Sequence, residues 1–317
     1  MFTREEIESA QRIIYSVLRP TPQFEWPLLS AELGLKVWVK HENHQPVGAF
    51  KIRGGITYSD ALIKRESKVR GVISATRGNH GQSIGFAARM HGIAATIVVP
   101  HGNSIEKNAA MRALGVERVE AGNDFQESRE HAMRMSIERH LHMVPSYHRD
   151  LVRGITTCWI EFFEAVEPEV IFVPIGLGSS LSAAAAARAY TGVGTKIIGV
   201  VSAQATAYLD SYRAGRVIET SATTQLADGM ACRVPDEESL AVVRREVEDL
   251  IAVTDEEVAA AMRLLFKATH NVAEGAGAAS LAAAMQQRQR WHGKTVGTIL
   301  CGGNVDTDVY AKVLGGG

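Results

Sequence analysis

The order of elements predicts an α/β protein built on parallel sheet. Short apolar runs rich in valine and isoleucine recur along the chain, and helical stretches of roughly 10–16 residues separate them. Several of the runs end in glycine-rich loops that lead into a helix. No internal repeat, low-complexity linker or charged tail interrupts the alternation.

Thr3-Arg-Glu-Glu6 has the form of a capping box and opens a first helix, whose apolar positions Ile7, Ala10, Ile14, Val17 and Leu18 keep helical spacing until Pro20 and Pro22. Lys36–Lys40 reads as a strand leading into His41–Gly55, and a helix follows through about Lys64. Gly71–Ala75 is a strand, Gly81–His91 a helix and Ala94–Val99 a strand. Ser104 caps a helix to Leu114, Val116–Glu120 is a strand, and Asp124–Arg139 is a helix. Helix Asp150–Val166 precedes strand Glu169–Val173, and Ser182–Arg188 is an alanine-rich helix. Strand Lys196–Val201, a second capping box at Thr254–Glu257 and strand Lys294–Leu300 complete the pattern. The βα units between about residues 69 and 145 predict a small domain inserted into a larger one made of 1–68 and 146–317.

A hydrophobic fraction of 46% and a charged fraction of 22% fit a globular protein with a sizeable core. The net charge of −1, from 34 basic and 35 acidic side chains, argues against nucleic acid or an acidic membrane as partner. No stretch of about 18 apolar residues offers a membrane span, and the acidic start Met-Phe-Thr-Arg-Glu-Glu is unlike a signal peptide. Cys158, Cys232 and Cys301 are scattered, which excludes a disulfide framework and suits a reducing cytoplasm. His140-Leu-His142 has no supporting acid or cysteine, so no metal site is expected.

In open α/β sheets ligands bind beyond the carboxyl ends of the strands, and four loops there carry chemistry. The first contains Lys51 in a pocket rim of Gly48, Ala49, Phe50, Gly54 and Gly55, crowded as a lysine must be to serve as a reactive amine. The second is Ser74-Ala-Thr-Arg-Gly-Asn-His-Gly-Gln82. Thr76, Gly78 and Gly81 allow amides to turn toward an anion, and Asn79 supplies donor and acceptor for a phenolic oxygen. The same loop reads equally as a Gly-Asn turn with an N-capping side chain. The third, Pro174-Ile-Gly-Leu-Gly-Ser-Ser180, suits a phosphate through Gly176, Gly178, Ser179 and Ser180. It lacks the third glycine of a dinucleotide fingerprint, and Val201-Ser202 stands where an acid should follow, so a single phosphomonoester fits better. In the fourth, Cys301-Gly-Gly-Asn304, the thiol reads as a nucleophile, a buried filler or a weak partner for a ring nitrogen. No basic neighbour argues for a thiolate.

Together these loops resemble the fold-type II pyridoxal phosphate enzymes, and among them the threonine/serine dehydratases. Phe50-Lys51-Ile-Arg-Gly is similar to the cofactor-lysine motif, Gly78-Asn79-His80-Gly81-Gln82 to the asparagine loop, and Gly176–Ser180 to the phosphate cup. Leu226-Ala-Asp-Gly229 and Cys301–Asn304 match later signatures, so the likeness runs from about Arg19 to Asp306. The resemblance implies a tryptophan-synthase-β-like fold: two open, twisted, mostly parallel sheets flanked by helices. It implies that Lys51 forms the Schiff base with pyridoxal 5'-phosphate and then removes the substrate's α-proton. By the same resemblance Phe50 borders the cofactor, Asn79 meets the ring hydroxyl, Gly176, Leu177, Gly178, Ser179 and Ser180 wrap the phosphate, and Cys301 faces the ring nitrogen. Thr76, Arg77, His80 and Gly229 fall on the substrate side, with Asp228, Glu274 and Asp306 in supporting places.

A neutral thiol at the ring nitrogen favours β-elimination over long-lived carbanion chemistry. The expected activity is therefore a dehydratase, or ammonia-lyase, that turns L-threonine or L-serine into a 2-keto acid and ammonia. Alternatives are a dehydratase for phenylserine or 3-hydroxyaspartate, a β-replacement synthase, an amino-acid racemase and, last, a non-catalytic phosphate-binding module. Arg77 departs from the serine usual in dehydratases, which racemases use as a second acid/base. It reads either as a carboxylate clamp or as a solvent-facing arginine. Val201 and Ala207 stand in place of the acids of a cation site found in some relatives. The resemblance implies a cytoplasmic homodimer, and the ending at residue 317 leaves no room for a C-terminal regulatory domain.

Overall fold

The computed structural model of the chain describes residues 1–66 and 68–316. Helix α1 (Arg4–Tyr15) begins at the capping box: Thr3 accepts from the Glu6 amide, and the Glu6 carboxylate accepts from the Thr3 N–H. Then come β1 (Gln23–Glu25), α2 (Pro27–Leu33), β2 (Lys36–His41) and α3 (Lys51–Arg65). Next are β3 (Gly71–Ala75), α4 (Asn79–Met90), β4 (Ala94–Val99), α5 (Ile105–Ala113), β5 (Glu117–Glu120), α6 (Phe125–Glu138) and β6 (His142–Met143). The chain continues through α7 (Arg149–Ala165), β7 (Val170–Pro174), α8 (Ser179–Thr191), β8 (Lys196–Ser202), α9 (Ala207–Ala214) and α10 (Glu237–Glu246). It ends with β9 (Asp249–Val253), α11 (Asp255–Thr269), α12 (Gly275–Gln286), β10 (Thr295–Leu300) and α13 (Thr307–Leu314).

The strands make two sheets, with order β1-β2-β10-β7-β8-β9 in one and β5-β4-β3-β6 in the other. Every pairing is parallel except the edge pair β1–β2. The α/β class with two mostly parallel sheets is therefore as expected. The strand order of the larger sheet brings distant loops together. Its last strand, β10, inserts between β2 and β7, so three loops far apart in sequence leave adjacent strand ends.

Some elements escape sequence periodicity for physical reasons. Strand β1 is three residues long, too short to show a pattern. Helix α12 is buried on all sides from Gly275 to Ala284, so its glycine- and alanine-rich run has no polar face to reveal it. Helix α8 starts at Ser179, three residues before the expected Ser182, and α4 starts at Asn79 where Gly81 was expected. The serine and asparagine side chains thus belong to first helical turns.

The glycines beside Lys51 have a different role from the one expected. Gly54 and Gly55 do not border a pocket; they lie within α3 and let other helices come close. A Cβ on Gly54 would sit 2.9 Å from the Leu151 carbonyl of α7, and one on Gly55 would meet Ser83 of α4. Gly154 of α7 closes the same contact against the Arg53 carbonyl. No helix among the described residues is long and apolar enough to cross a membrane.

Candidate functional site

Between the two sheets lies a cavity of about 650 Å³ bordered by loops from both. Phe50, Lys51, Thr76, Arg77, Asn79, His80, Gly176, Leu177, Gly178, Ser179, Ser180, Gly229 and Cys301 all line it, as do Asp228 and Glu274. Every residue singled out from sequence as catalytic, cofactor-binding or substrate-binding is therefore in one place. Asp306 is not. It receives the Ser104 hydroxyl at 2.6 Å and the Ile105 and Glu106 amides, and so fixes the start of α5.

The Lys51 loop is stitched to the Cys301 loop by backbone bonds: Phe50 N–H donates to the Cys301 carbonyl at 3.0 Å, and Gly303 N–H to that of Gly48 at 2.9 Å. Below it the Arg53 guanidinium is fully buried and fully bonded, to Glu42, Glu161 and Thr157. Lys40 joins Glu161 at 2.6 Å. The arginine of the lysine motif is thus an anchor for the start of α3. Lys51 itself makes no ion pair among the described residues. Its Nζ donates to Ser179 Oγ at 3.1 Å and lies 5.1 Å from the centre of the Phe50 ring. Burial lowers its pKa to about 8, which leaves an appreciable share of free amine near neutral pH.

Across the cavity, α8 presents its first turn with Gly178 as N-cap and no side-chain cap, so the leading amides face the ligand space. Gly178 has φ of 85°, and a Cβ there would run into Ser239; one on Gly176 would strike the Gly229 carbonyl. Helix α4 is likewise without a side-chain cap. Thr76 contributes differently from expectation, since its hydroxyl accepts from Gly78 N–H at 2.9 Å and braces the loop. Gly81 is a packing residue: a Cβ on it would lie 2.5 Å from Met111 Sδ. Arg77 lines the cavity and is half-buried, and its buried Nε has no partner among the described residues. His80 is held neutral, its pKa lowered to about 3 by burial and then by Lys51, and its buried Nε2 has no partner among the described residues.

Cys301 donates to the Ala276 carbonyl at 3.4 Å, and burial pushes its thiol pKa up. It is a neutral thiol at the cavity wall, which removes the nucleophile reading. Asn79 is bound on both sides: its amide donates to Glu274 at 2.6 Å and accepts from Asn304 at 2.8 Å. Sequence reasoning missed Lys107, a buried lysine of α5 that bonds Asp228 at 2.8 Å and stands 3.2 Å from Glu274. Nothing local marks it, because its partners come from the other sheet's loops.

A phosphorylated, ring-bearing aldehyde fits this set of groups. There is an amine without an acid partner among the described residues, an uncapped helix start opposite it, and glycines at 176 and 178 where a side chain would strike Gly229 or Ser239, so the backbone itself borders the space. Comparison with known proteins agrees. The family described as pyridoxal-phosphate dependent enzyme matches residues 14–302. The chain belongs to that family. An L-threonine ammonia-lyase of Thermotoga maritima is 33% identical over all of this chain and 79% of its own length. An L-threo-3-hydroxyaspartate ammonia-lyase of Saccharomyces cerevisiae is 32% identical over 99% of this chain and 97% of its own length. The solved processed form of threonine deaminase isoform 2 from Solanum lycopersicum superposes with a TM-score of 0.89. It shares 27% identity, over 98% of this chain and 93% of that one. The protein is thus a pyridoxal-phosphate-dependent enzyme with the fold-type II architecture, and its relatives include ammonia-lyases.

Proposed function

We propose that this protein eliminates water from a β-hydroxy amino acid, with L-threonine or L-serine as the default substrate, to give a 2-keto acid and ammonia. The observation that carries the proposal is the meeting, across the end of β10, of a Lys51 without an ion pair among the described residues and the uncapped start of α8, with Lys51 Nζ 3.1 Å from Ser179 Oγ. In this reading Lys51 holds the cofactor, and the first-turn amides of α8 with Gly176–Ser180 take its phosphate. Asn79 meets the ring oxygen, the neutral thiol of Cys301 faces the ring nitrogen, and Phe50 borders the ring. Pyridoxal phosphate, when bound, supplies an electron sink that makes the substrate's α-proton acidic. Lys51 Nζ, aimed by Ser179, accepts that proton; a free amine near neutral pH suits the task. The α4 amides bind the substrate carboxylate, with Thr76, His80 and Gly229 shaping the substrate side.

Arg77 decides between substrates. A guanidinium with no acid partner favours a carboxylate, either the α-carboxylate or a second acid as in 3-hydroxyaspartate. It also disfavours racemisation, because an arginine exchanges protons poorly. The panel that tests this uses threonine, serine, phenylserine and 3-hydroxyaspartate with keto-acid detection. Arg77→Ser is expected to raise KM about tenfold, more than it lowers kcat, for the substrate whose carboxylate it holds. A wild-type protein that forms no keto acid from any of the four would sink the proposal. Sulfide incorporation from an activated serine would favour the β-replacement reading, and loss of chirality in recovered serine the racemase.

We infer further that the chain is a cytoplasmic homodimer, as the family resemblance implies, and sedimentation of the purified holoenzyme tests the dimer. The separate four-stranded sheet supports 69–145 as a small inserted domain, with 1–68 and 146–317 forming the large one. Hydrogen exchange in which 69–145 does not open as a unit would contradict that division.

A further inference from the structure

The amide of Asn79 is one link in a chain of hydrogen bonds whose direction can be read from its two ends. At one end is the Val47 backbone carbonyl, which can only accept. Asn304 Nδ2 donates to it at 2.8 Å and donates its other hydrogen to Asn79 Oδ1, also at 2.8 Å. Both hydrogens of Asn304 are therefore spent, and Asn79 must turn its oxygen toward Asn304. At the other end Lys107, an ammonium between Asp228 and Glu274, favours an ionised Glu274, which can only accept. Asn79 Nδ2 donates to that carboxylate at 2.6 Å. The two ends agree, and Asn79, which lines the cavity, keeps one N–H without a partner among the described residues.

Space for this chain is made by three glycines from separate motifs. A Cβ on Gly48 would lie 2.5 Å from Asn304 Oδ1. One on Gly302 would intrude between Glu274 and Asn79, and one on Gly78 would run into the Lys107 stem. No side chain larger than hydrogen fits at any of them without displacing a member of the chain.

We propose that Asn304, Glu274 and Lys107 are positioning residues that hold Asn79 as a hydrogen-bond donor toward the cavity, so that the site selects the cofactor's ring oxygen in its anionic form. This rests on the pyridoxal phosphate reading above and adds to it the charge state that the protein imposes. An Asn79 free to turn over would offer its carbonyl oxygen equally well and would bind the neutral, hydroxyl form.

The test reconstitutes the purified protein with pyridoxal phosphate and reads two quantities besides turnover. These are the ratio of the long-wavelength band (anionic ring oxygen) to the near-ultraviolet band (neutral form), and the cofactor Kd. Asn304→Asp replaces the donor by acceptors and should lower the band ratio and weaken the cofactor about tenfold. Asn304→Ala leaves Glu274 to orient Asn79 and should weaken it only about threefold, within the range of one hydrogen bond. A merely structural role predicts the opposite order, because alanine loses both bonds of Asn304. Wild-type band ratio and Kd in Asn304→Asp, or equal effects of the two variants, would overturn the proposal. Should Asn304→Asp fail to fold, Lys107→Met is read in the same way. It removes the cation beside Glu274 and so weakens the second of the two orienting ends, and the band ratio should fall, though by less than in Asn304→Asp; an unchanged ratio overturns the proposal. An unsubstituted protein that forms no visible band would instead remove the cofactor reading itself.

Discussion

Two lysines open on the same cavity, and their surroundings differ in one respect. Lys107 is held by Asp228 and Glu274, and their attraction raises its pKa, so it remains an ammonium. Lys51 has no carboxylate in ion-pair range among the described residues, and burial carries its pKa down to about 8. The carboxylate that acts on Lys51 is Glu274, and it is engaged by Lys107 and Asn79, while Glu42 and Glu161 are spent on Arg53 and Lys40. The difference teaches that burial does not suffice to make a lysine reactive. Its neighbours must also consume every nearby acid.

That contrast can be broken at several points. The largest effect is expected from Lys51→Ala, which should lower keto-acid formation at least about 10³-fold, since Lys107 cannot substitute as an ammonium. Steady-state assay of the reconstituted variant measures it. Next comes Arg53→Met, which strands Glu42 without its cation and leaves Glu161 only Lys40. It should destabilise the protein by about 4 kcal/mol in denaturant unfolding, as removing one partner of a buried pair does. A smaller effect concerns pH. Because burial lowers the Lys51 pKa, its reactive free amine gains as pH rises through about 8 and is lost below it. The rate of cofactor capture by the apoprotein should therefore fall about tenfold per pH unit below 8, followed by absorbance. A flat profile across the neutral range would mean that Lys51 is not the titrating nucleophile.

Much of this site is legible in the sequence, for a reason that concerns loops. Lys51, Asn79, Gly176–Ser180 and Cys301 sit where strands end, and glycines around them mark close backbone approach. The alternation of strands and helices places those loops at the carboxyl ends of parallel strands, three in the larger sheet and that of Asn79 in the smaller. Two glycines mislead. Gly54 and Gly55 look like a pocket border, yet their missing side chains serve the approach of α4 and α7. Arg53 also stands in plain view within the lysine motif, but its buried carboxylate partners lie at Glu42 and, far along the chain, at Glu161.

The illegible part is tertiary in origin. Lys107 lies in the first turn of a helix capped by Ser104, where a solvent-facing cation is the ordinary expectation. Its carboxylate partners are more than a hundred residues away. The orientation of Asn79 depends on Asn304 and on Val47, which meet only because β10 inserts beside β2. Helix α12, whose N-cap is Glu274, carries no amphipathic pattern because it is buried all round.

The measurement that tests the central claim most directly is borohydride reduction of the protein reconstituted with pyridoxal phosphate, followed by peptide mapping. The account predicts one phosphopyridoxyl group on Lys51 and none on Lys107. A label on Lys107, or protein that takes up no reducible cofactor, would contradict it.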